Sequence, residues 1–151
     1  MSKIAVIGTG YVGLVTGTCF ADLGNEVVCV DVIEEKVKLL NRGISPIYEP
    51  GLEEIISRNL KAKRLYFTTS YEQALDGAQV AFIAVGTPES PDGSADMKYV
   101  QQAARSIGKY APGRSSQPLV IVNKSTVPIG TGDLVGQLIK KECPPDFKLA
   151  V

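Results

Sequence analysis

The amino-acid sequence predicts an α/β protein with a doubly wound parallel sheet of about six strands. Two observations lead to this prediction. Short apolar segments alternate with helical segments along the whole chain, as in a β-α succession with right-handed crossovers. The apolar segments are also continuous rather than alternating with polar residues, which is typical of strands that helices cover on both faces.

The first half of the chain begins with two strands of this buried type. Residues 4–7 form an apolar run that glycines end, and residues 26–30 form a second run after Gly24-Asn25. Residues 65–68 are rich in aromatic and β-branched types, which favour a strand. The helices of this half are predicted at residues 11–23, 33–41, 50–58 and 71–75. The second of them ends near Gly43, as a helix with a glycine cap does.

The second half repeats the same order of elements. Residues 80–85 are the strongest predicted strand, and a loop follows it. Asp96 is predicted to cap a helix that ends near Lys109. The remaining elements are predicted at residues 119–122 (strand), 130–141 (helix) and 147–151 (start of a sixth strand). A chain of 151 residues has the size of one ordinary domain.

A G-x-G-x-x-G motif at residues 8–13 lies directly between the first strand and the first helix. Gly8 allows the tight turn, Gly10 lets the backbone approach a pyrophosphate, and Gly13 lets the helix pack closely on the strand. The phosphates then lie against free N–H groups at the helix start, where the helix dipole favours negative charge. The motif therefore predicts a Rossmann-type dinucleotide-binding fold.

An acidic residue, Asp31, ends the second predicted strand at the roughly 20-residue spacing that this fingerprint requires. A carboxylate there accepts hydrogen bonds from the ribose hydroxyls and repels a 2′-phosphate, which favours NAD over NADP. Lys36 lies one helical turn beyond and is placed to neutralise charge near the ribose or the phosphates. The alternatives are a helix cap for Asp31 and a solvated surface lysine for Lys36.

Two later segments follow predicted strands at the edge where ligands bind in open α/β sheets. Val85-Gly86-Thr87-Pro88 follows the fourth strand, and Lys124-Ser125-Thr126-Val127-Pro128 follows the fifth. Both offer hydroxyl and backbone groups to a cofactor that lies across the sheet edge. The alternative is local turn chemistry, which selects Gly, Pro, Ser and Thr for its own reasons.

Four segments, in this order, resemble the signatures of one family, the UDP-glucose/GDP-mannose dehydrogenases. They are residues 8–14, 46–52, 85–88 and 124–131. The resemblance covers nearly the whole chain. The form Pro-Ile-Tyr-Glu-Pro-Gly-Leu of the second segment is most similar to that of bacterial UDP-glucose 6-dehydrogenases, although related UDP- and GDP-sugar enzymes have similar segments.

The resemblance implies an NAD-dependent enzyme that oxidises the C6 alcohol of UDP-glucose to a carboxylate in two hydride transfers, with a cysteine that traps the intermediate aldehyde. It implies that Val12 contacts the pyrophosphate through its backbone and that Thr126 helps to place a catalytic water. The residues expected to bind NAD are Gly8, Gly10, Tyr11, Val12, Gly13, Asp31, Lys36, Val85, Gly86, Thr87, Ser125 and Thr126.

Two of the family's catalytic segments, which carry an essential glutamate and the nucleophilic cysteine, do not occur in the 151 residues. Cys19, Cys29 and Cys143 lack the nucleophile's surroundings. We therefore expect residues 1–151 to be the NAD-binding domain of a larger enzyme. Its central helix and its C-terminal substrate domain would lie outside this chain, which alone would not turn over substrate. The complete enzyme is expected to be a homodimer or a larger homo-oligomer.

The composition argues against other classes of partner. Sixteen basic residues balance sixteen acidic ones, so no summed field favours nucleic acid. With three cysteines at wide spacing and no histidine, no metal site is expected. No apolar run reaches bilayer length. We expect a cytoplasmic protein with free thiols and no membrane partner.

Several alternatives stay open at this stage. The parent enzyme could instead act on GDP-mannose or a UDP-N-acetylhexosamine, or the chain could be a non-catalytic dinucleotide-binding module. A hydroxyacid or 3-hydroxyacyl dehydrogenase is disfavoured by residues 85–88 and 124–128 together. Glu49 is expected to have a structural role, such as capping the following helix, rather than a catalytic one.

Overall fold

The computed structural model describes residues 1–110, 118–143 and 149–150 of the chain. Its strands are β1 (Lys3–Ile7), β2 (Glu26–Val30), β3 (Leu65–Thr68), β4 (Val80–Ile83), β5 (Leu119–Asn123) and β6 (Leu149–Ala150). Its helices are α1 (Tyr11–Asp22), α2 (Glu34–Asn41), α3 (Leu52–Lys61), α4 (Tyr71–Leu75), α5 (Lys98–Tyr110) and α6 (Thr131–Glu142). Within the described ranges the strands form one parallel sheet in the order β3-β2-β1-β4-β5-β6. The predicted doubly wound sheet is confirmed.

Side chains of the central strands enter two separate cores, because successive residues of a strand point to opposite faces of the sheet. In β1, Ile4 and Val6 pack with the apolar residues of α1, α2 and α3, whereas Ala5 and Ile7 pack with those of α4, α5 and α6. All four of these side chains are at most 5% exposed. Burial on both faces explains why the strand reads as a continuous apolar run.

The strand β4 ends at Ile83, earlier than the prediction of residue 85. Ala84 N–H still donates to Ile7 O at 2.8 Å. Beyond Ile7, however, the neighbouring chain turns away at Gly8, which has a φ of 101°. Val85 therefore leaves the ladder and begins the loop that the sequence places after this strand.

The helix α3 begins and ends later than predicted. Gly51 is its N-cap with a φ of 81°, which excludes it from the helix itself. At the other end, Asn59 is fully buried and its Nδ2 donates to Asp22 Oδ1 at 3.0 Å, at the end of α1. Arg58 donates to the same carboxylate, and the hydrogen bonds from Arg58 and then Asn59 lower the pKa of Asp22 to about 2. These contacts tie α3 to α1.

The predicted cap at Asp96 and the predicted sixth strand both have counterparts in the structure. Asp96 Oδ1 accepts a hydrogen bond from Lys98 N–H at 2.9 Å, so Asp96 does cap the start of α5. The sixth strand is present at residues 149–150. The rest of the predicted range 147–151 lies outside the described residues.

Candidate dinucleotide-binding site

The site lies where the strand order reverses. The chain runs outward from β1 through β2 to β3, and then returns to the other side of β1 to form β4. Crevices at the carboxyl ends of strands at such a switch point are where open α/β sheets bind ligands. A cleft of about 410 Å³ opens at this point, between the turn after β1, the end of β2 and the start of the loop after β4.

The glycine turn between β1 and α1 is packed against the backbone that follows β4. At Gly8, with its φ of 101°, an added Cβ would lie 2.7 Å from Ala84 O. At Gly13 an added Cβ would lie 2.0 Å from Gly8 O. No flexible side chain could move to relieve these contacts, because both neighbouring atoms belong to the backbone. The first and third glycines of the motif therefore act as predicted.

The second glycine has a different environment. Gly10 is the N-cap of α1, it makes no side-chain cap hydrogen bond, and an added Cβ there would meet nothing within 4 Å. The first N–H groups of α1 lack partners within the helix, so they can donate to an anion beside Gly10. A pyrophosphate fits this arrangement, because a bare backbone, unpaired donors and a helix dipole all face the same open space.

The carboxylate of Asp31 is buried beside this turn, with 8% of the residue exposed. Its Oδ2 accepts hydrogen bonds from Thr9 N–H at 3.1 Å, Thr9 Oγ1 at 2.5 Å and Lys36 Nζ at 2.9 Å. Its Oδ1 accepts one from Ile33 N–H at 3.1 Å. The helix-cap alternative is thus partly right, because Oδ1 does bind the backbone just before α2, but the carboxylate also faces the cleft.

Asp31 stays ionised in this buried position. Burial raises the pKa of its carboxyl group, but the hydrogen bonds from Thr9, Lys36 and Ile33 and the charge of Lys36 outweigh that effect, so the pKa lies below its ordinary value. Lys36 is not a solvated surface lysine, because its ammonium group pairs with Asp31 and its side chain is only 21% exposed. A negative group is therefore fixed at the end of β2.

The two loops after β4 and β5 are joined directly. Ser125 Oγ donates to Val85 O at 2.7 Å, and Thr87 Oγ1 donates to the backbone oxygen of Thr126 at 3.0 Å. The structure thus brings both predicted segments together at the carboxyl edge of the sheet. Thr126 itself is exposed. Its hydroxyl is free of the Thr87 contact, which uses only its backbone.

The cleft contains six of the residues that the sequence predicts for cofactor binding. These are Gly8, Gly10, Asp31, Lys36, Val85 and Gly86. Tyr11, Val12 and Gly13 form the first turn of α1, directly beyond the cleft lining. Thr87, Ser125 and Thr126 lie further along the same sheet edge, outside that lining.

Among the cleft residues that sequence reasoning missed, four are polar or aromatic, namely Thr9, Tyr71, Tyr99 and Gln102. Thr9 is one of the three variable positions of the motif, and nothing in the pattern singles it out. Tyr71 lies in α4, and Tyr99 and Gln102 lie in α5, where polar and aromatic residues are common for other reasons. Burial raises the pKa of Tyr71, and Asp31 contributes by its charge.

Glu49 does not cap α3, contrary to the prediction. The cap position is Gly51 and has no side-chain cap hydrogen bond. The Glu49 carboxylate instead accepts a hydrogen bond from the phenol of Tyr11, at the start of α1. The cap interpretation failed because Tyr11 lies 38 residues away in sequence. The hydrogen bond between Tyr11 and Glu49 connects the segment 45–51 to the start of α1, beside the glycine turn.

Other kinds of site receive no support from this part of the chain. In residues 1–110 and 118–143, no helix has the length and hydrophobicity that crossing a membrane requires. The described Cys, Asp and Glu residues also form no group of three that could hold a metal ion.

Removing the Glu49 carboxylate is expected to lower the pKa of Tyr11. The hydrogen bond to Glu49 raises that pKa above the ordinary value of 10.0, with further increases from desolvation and from the charge of Glu49. The contact is therefore complete at neutral pH and is lost as the pH rises past 10 through the raised pKa. Tyr71 also has a raised pKa, so an ultraviolet titration of the tyrosines should show two late-titrating groups. One of them should move toward pH 10 in E49A and be missing in Y11F.

The control for this titration is E53A, which removes a nearby carboxylate, in the first turn of α3, that accepts a hydrogen bond from Ser45 N–H instead. E53A should keep both late-titrating tyrosines. Identical curves for the wild type and E49A would show that the two side chains do not interact in solution.

The comparisons with known proteins agree with this geometry. The family model described as "UDP-glucose/GDP-mannose dehydrogenase family, NAD binding domain" matches residues 2–151. The UDP-glucose 6-dehydrogenase TuaD of Bacillus subtilis (strain 168) is 52% identical over 141 residues, which are 93% of this chain and 30% of that protein. The GDP-mannose 6-dehydrogenase of Pseudomonas aeruginosa is 37% identical over 138 residues, which are 91% of this chain and 32% of that protein.

A solved structure of a UDP-glucose dehydrogenase from the hyperthermophilic archaeon Pyrobaculum islandicum superposes with a TM-score of 0.92 at 44% identity, over 99% of this chain and 34% of that one. The chain thus spans about a third of the length of these relatives. Because the family model covers nearly every residue and the glycine turn and Asp31 have the geometry that a dinucleotide requires, the chain belongs to the UDP-glucose/GDP-mannose dehydrogenase family and forms its NAD-binding domain.

Proposed function

We propose that this chain binds NAD across the switch point for the oxidation of UDP-glucose to UDP-glucuronate by a UDP-glucose 6-dehydrogenase. The observation that carries the proposal is the buried, ionised carboxylate of Asp31 beside the glycine turn, with Lys36 paired to it at 2.9 Å. A fixed negative charge at this position accepts hydrogen bonds from a ribose and repels a 2′-phosphate.

The proposed orientation of NAD follows from the order of groups along the sheet edge. The adenosine ribose lies at Asp31, next to β2, and the adenine lies toward Tyr71 and Tyr99. The pyrophosphate lies over Gly10 and the first N–H groups of α1. The nicotinamide half then reaches the joined loops after β4 and β5. When bound there, NAD supplies the hydride acceptor for the oxidation of an alcohol.

The chain's own residues have distinct tasks in this arrangement. Lys36 and Thr9 hold Asp31 in place. Thr87 fixes the backbone of Thr126 by donating to its carbonyl oxygen. That contact leaves the exposed Thr126 hydroxyl available to hold a water molecule near the nicotinamide, which is the catalytic task proposed for it.

UDP-glucose is the substrate that sequence similarity favours. The chain is 52% identical to a UDP-glucose 6-dehydrogenase and 37% identical to a GDP-mannose 6-dehydrogenase. Substrate residues themselves would belong to parts of the enzyme beyond the third that this chain matches. We propose a central helix and a C-terminal substrate domain for those parts, in an enzyme that is a homodimer or a larger homo-oligomer.

The surroundings of the three cysteines of this chain support a catalytic nucleophile that lies elsewhere in the enzyme. Cys29 is fully buried, and burial raises the pKa of its thiol to about 12, so it cannot act as a nucleophile. Cys19 lies on the exposed side of α1, and Cys143 follows α6. In the described part of the chain none of the three cysteines forms a disulfide, which fits a reducing compartment such as the cytoplasm.

The first test of the proposal is calorimetric titration of the chain with NAD and with NADP, in the wild type and in D31A. The wild type should bind NAD more tightly than NADP. In D31A the NAD affinity should fall roughly tenfold, because a hydrogen bond to a charged group is lost. NADP should bind more tightly than before, because Lys36 loses its partner and becomes available to a 2′-phosphate.

The matched control is E34A, which removes the same charge from a side chain that is 73% exposed at the start of α2. E34A should keep the preference for NAD. An unchanged NAD-to-NADP ratio in D31A would contradict the assignment of Asp31 to the ribose.

A second pair of variants separates the tasks of the glycines. G10A should keep the thermal stability of the free chain, because its added Cβ meets nothing within 4 Å, but it should weaken NAD binding by placing a methyl group against the pyrophosphate. G13A should lower both the thermal stability and the NAD affinity, because its Cβ would lie 2.0 Å from Gly8 O. Equal NAD affinity in G10A and the wild type would place the phosphates elsewhere.

The substrate is tested by NADH formation with UDP-glucose, GDP-mannose and UDP-N-acetylmannosamine. The complete enzyme should form NADH fastest with UDP-glucose, and it should form two NADH for each molecule oxidised to the carboxylate. The 151-residue chain alone should bind NAD but form no NADH. A faster reaction with GDP-mannose would overturn the substrate assignment and leave the cofactor site unaffected.

A further inference from the structure

We propose that Thr9 is a positioning residue for Asp31, and that its hydroxyl sets how strongly the site recognises the adenosine ribose. The inference rests on the proposed function, in which Asp31 binds that ribose. Thr9 acts through the carboxylate, because the residue is itself fully buried with 0% exposure.

The juxtaposition of the two residues follows from the pairing of β1 with β2. The parallel register places Ile7 opposite Val30, and Gly8 N–H donates to Val30 O at 2.8 Å. Asp31, the residue after Val30, and Thr9, the residue after Gly8, therefore meet at the sheet edge. The backbone N–H of position 9 donates to the carboxylate, and the hydroxyl of Thr9 adds a second donor.

The donors are divided unequally between the two oxygens of the carboxylate. Oδ2 accepts three hydrogen bonds, two from Thr9 and one from Lys36, whereas Oδ1 accepts one from Ile33 N–H. A carboxylate oxygen has about two lone-pair sites. Oδ2 is therefore saturated, and Oδ1 keeps acceptor capacity for a ribose hydroxyl at the cleft.

The Thr9 hydroxyl makes the shortest of these contacts, at 2.5 Å from Oδ2. Hydrogen bonds to an ionised acceptor are shorter and roughly twice as strong as bonds between neutral groups. With this bond in place, rotation of the carboxylate about its Cβ–Cγ bond would break contacts to Thr9, Lys36 and Ile33 together. The free acceptor site of Oδ1 is thus fixed in direction before NAD arrives, which reduces the ordering cost of binding.

The test compares NAD with an analogue that lacks the adenosine 2′-hydroxyl, by calorimetry on the wild type, T9V and T9S. The wild type should bind NAD roughly tenfold more tightly than the analogue. T9V keeps the shape of the side chain without its hydroxyl, so this ratio should fall to about threefold or less. T9S restores the hydroxyl and should restore the ratio.

A second variant and a second measurement guard against misfolding. T9A removes the same hydroxyl without placing a methyl group against the carboxylate, and it should reduce the ratio as T9V does. In the free chain, a carbon-13 NMR titration of the Asp31 carboxyl group should give a higher pKa in T9V or T9A than in the wild type, because a donor to the ionised form is lost.

The outcomes separate this inference from the proposed function. If D31A loses the preference for NAD over the analogue but T9V and T9A retain it, Thr9 is not a positioning residue, although Asp31 still binds the ribose. If D31A retains the preference, both proposals are wrong. Equal weakening of NAD and the analogue in the Thr9 variants, with an unchanged ratio, would indicate a structural role only and would overturn the inference.

Discussion

The close approach of three backbone segments at Gly8 is the constraint on which the rest of the site depends. Gly8 lies against Ala84 O on one side, and Gly13 lies against Gly8 O on the other. This contact fixes the start of α1 over the end of β1, so the helix dipole points at the switch point. The strand β4 lies on the other side of the same turn. The loops that follow β4 and β5 therefore begin beside the glycine turn.

A second consequence of this packing is electrostatic. The end of β2 carries a charge that burial alone would make unfavourable, since the desolvation of Asp31 raises its pKa. The hydrogen bonds from Thr9, Lys36 and Ile33 and the charge of Lys36 together outweigh that effect. The turn itself supplies Thr9, and α2 supplies Lys36 one helical turn later. The glycine turn that we propose for the pyrophosphate therefore also stabilises the negative charge of Asp31, which we propose as the group that binds the ribose.

The elements and the local motif could be predicted because each depends on residues that are close in sequence. Continuous apolar runs such as β1 predict strands buried on both faces, and the spacing of Gly8, Gly13 and Asp31 predicts a dinucleotide turn. The contacts that shape the site could not be predicted in the same way. The Thr9–Asp31, Tyr11–Glu49 and Thr87–Thr126 contacts span 22, 38 and 39 residues, and each requires a particular rotamer on a loop whose course the sequence leaves open. The helix cap suggested for Glu49 was wrong for this reason.

The position of the proposed NAD site also explains how similar cofactor domains can occur in relatives that are named for different sugars. The residues proposed to bind the ribose, the pyrophosphate and the nicotinamide half of NAD lie at the carboxyl edge of the sheet, at the end of β2, on the glycine turn and on the loops after β4 and β5. The relatives with UDP-glucose and GDP-mannose in their names share this region at 52% and 37% identity, and it makes up about a third of each of them. With NAD bound as proposed, cofactor selection depends on contacts within this domain, such as those of Asp31. Substrate selection can change in the remaining parts without disturbing the packing at Gly8.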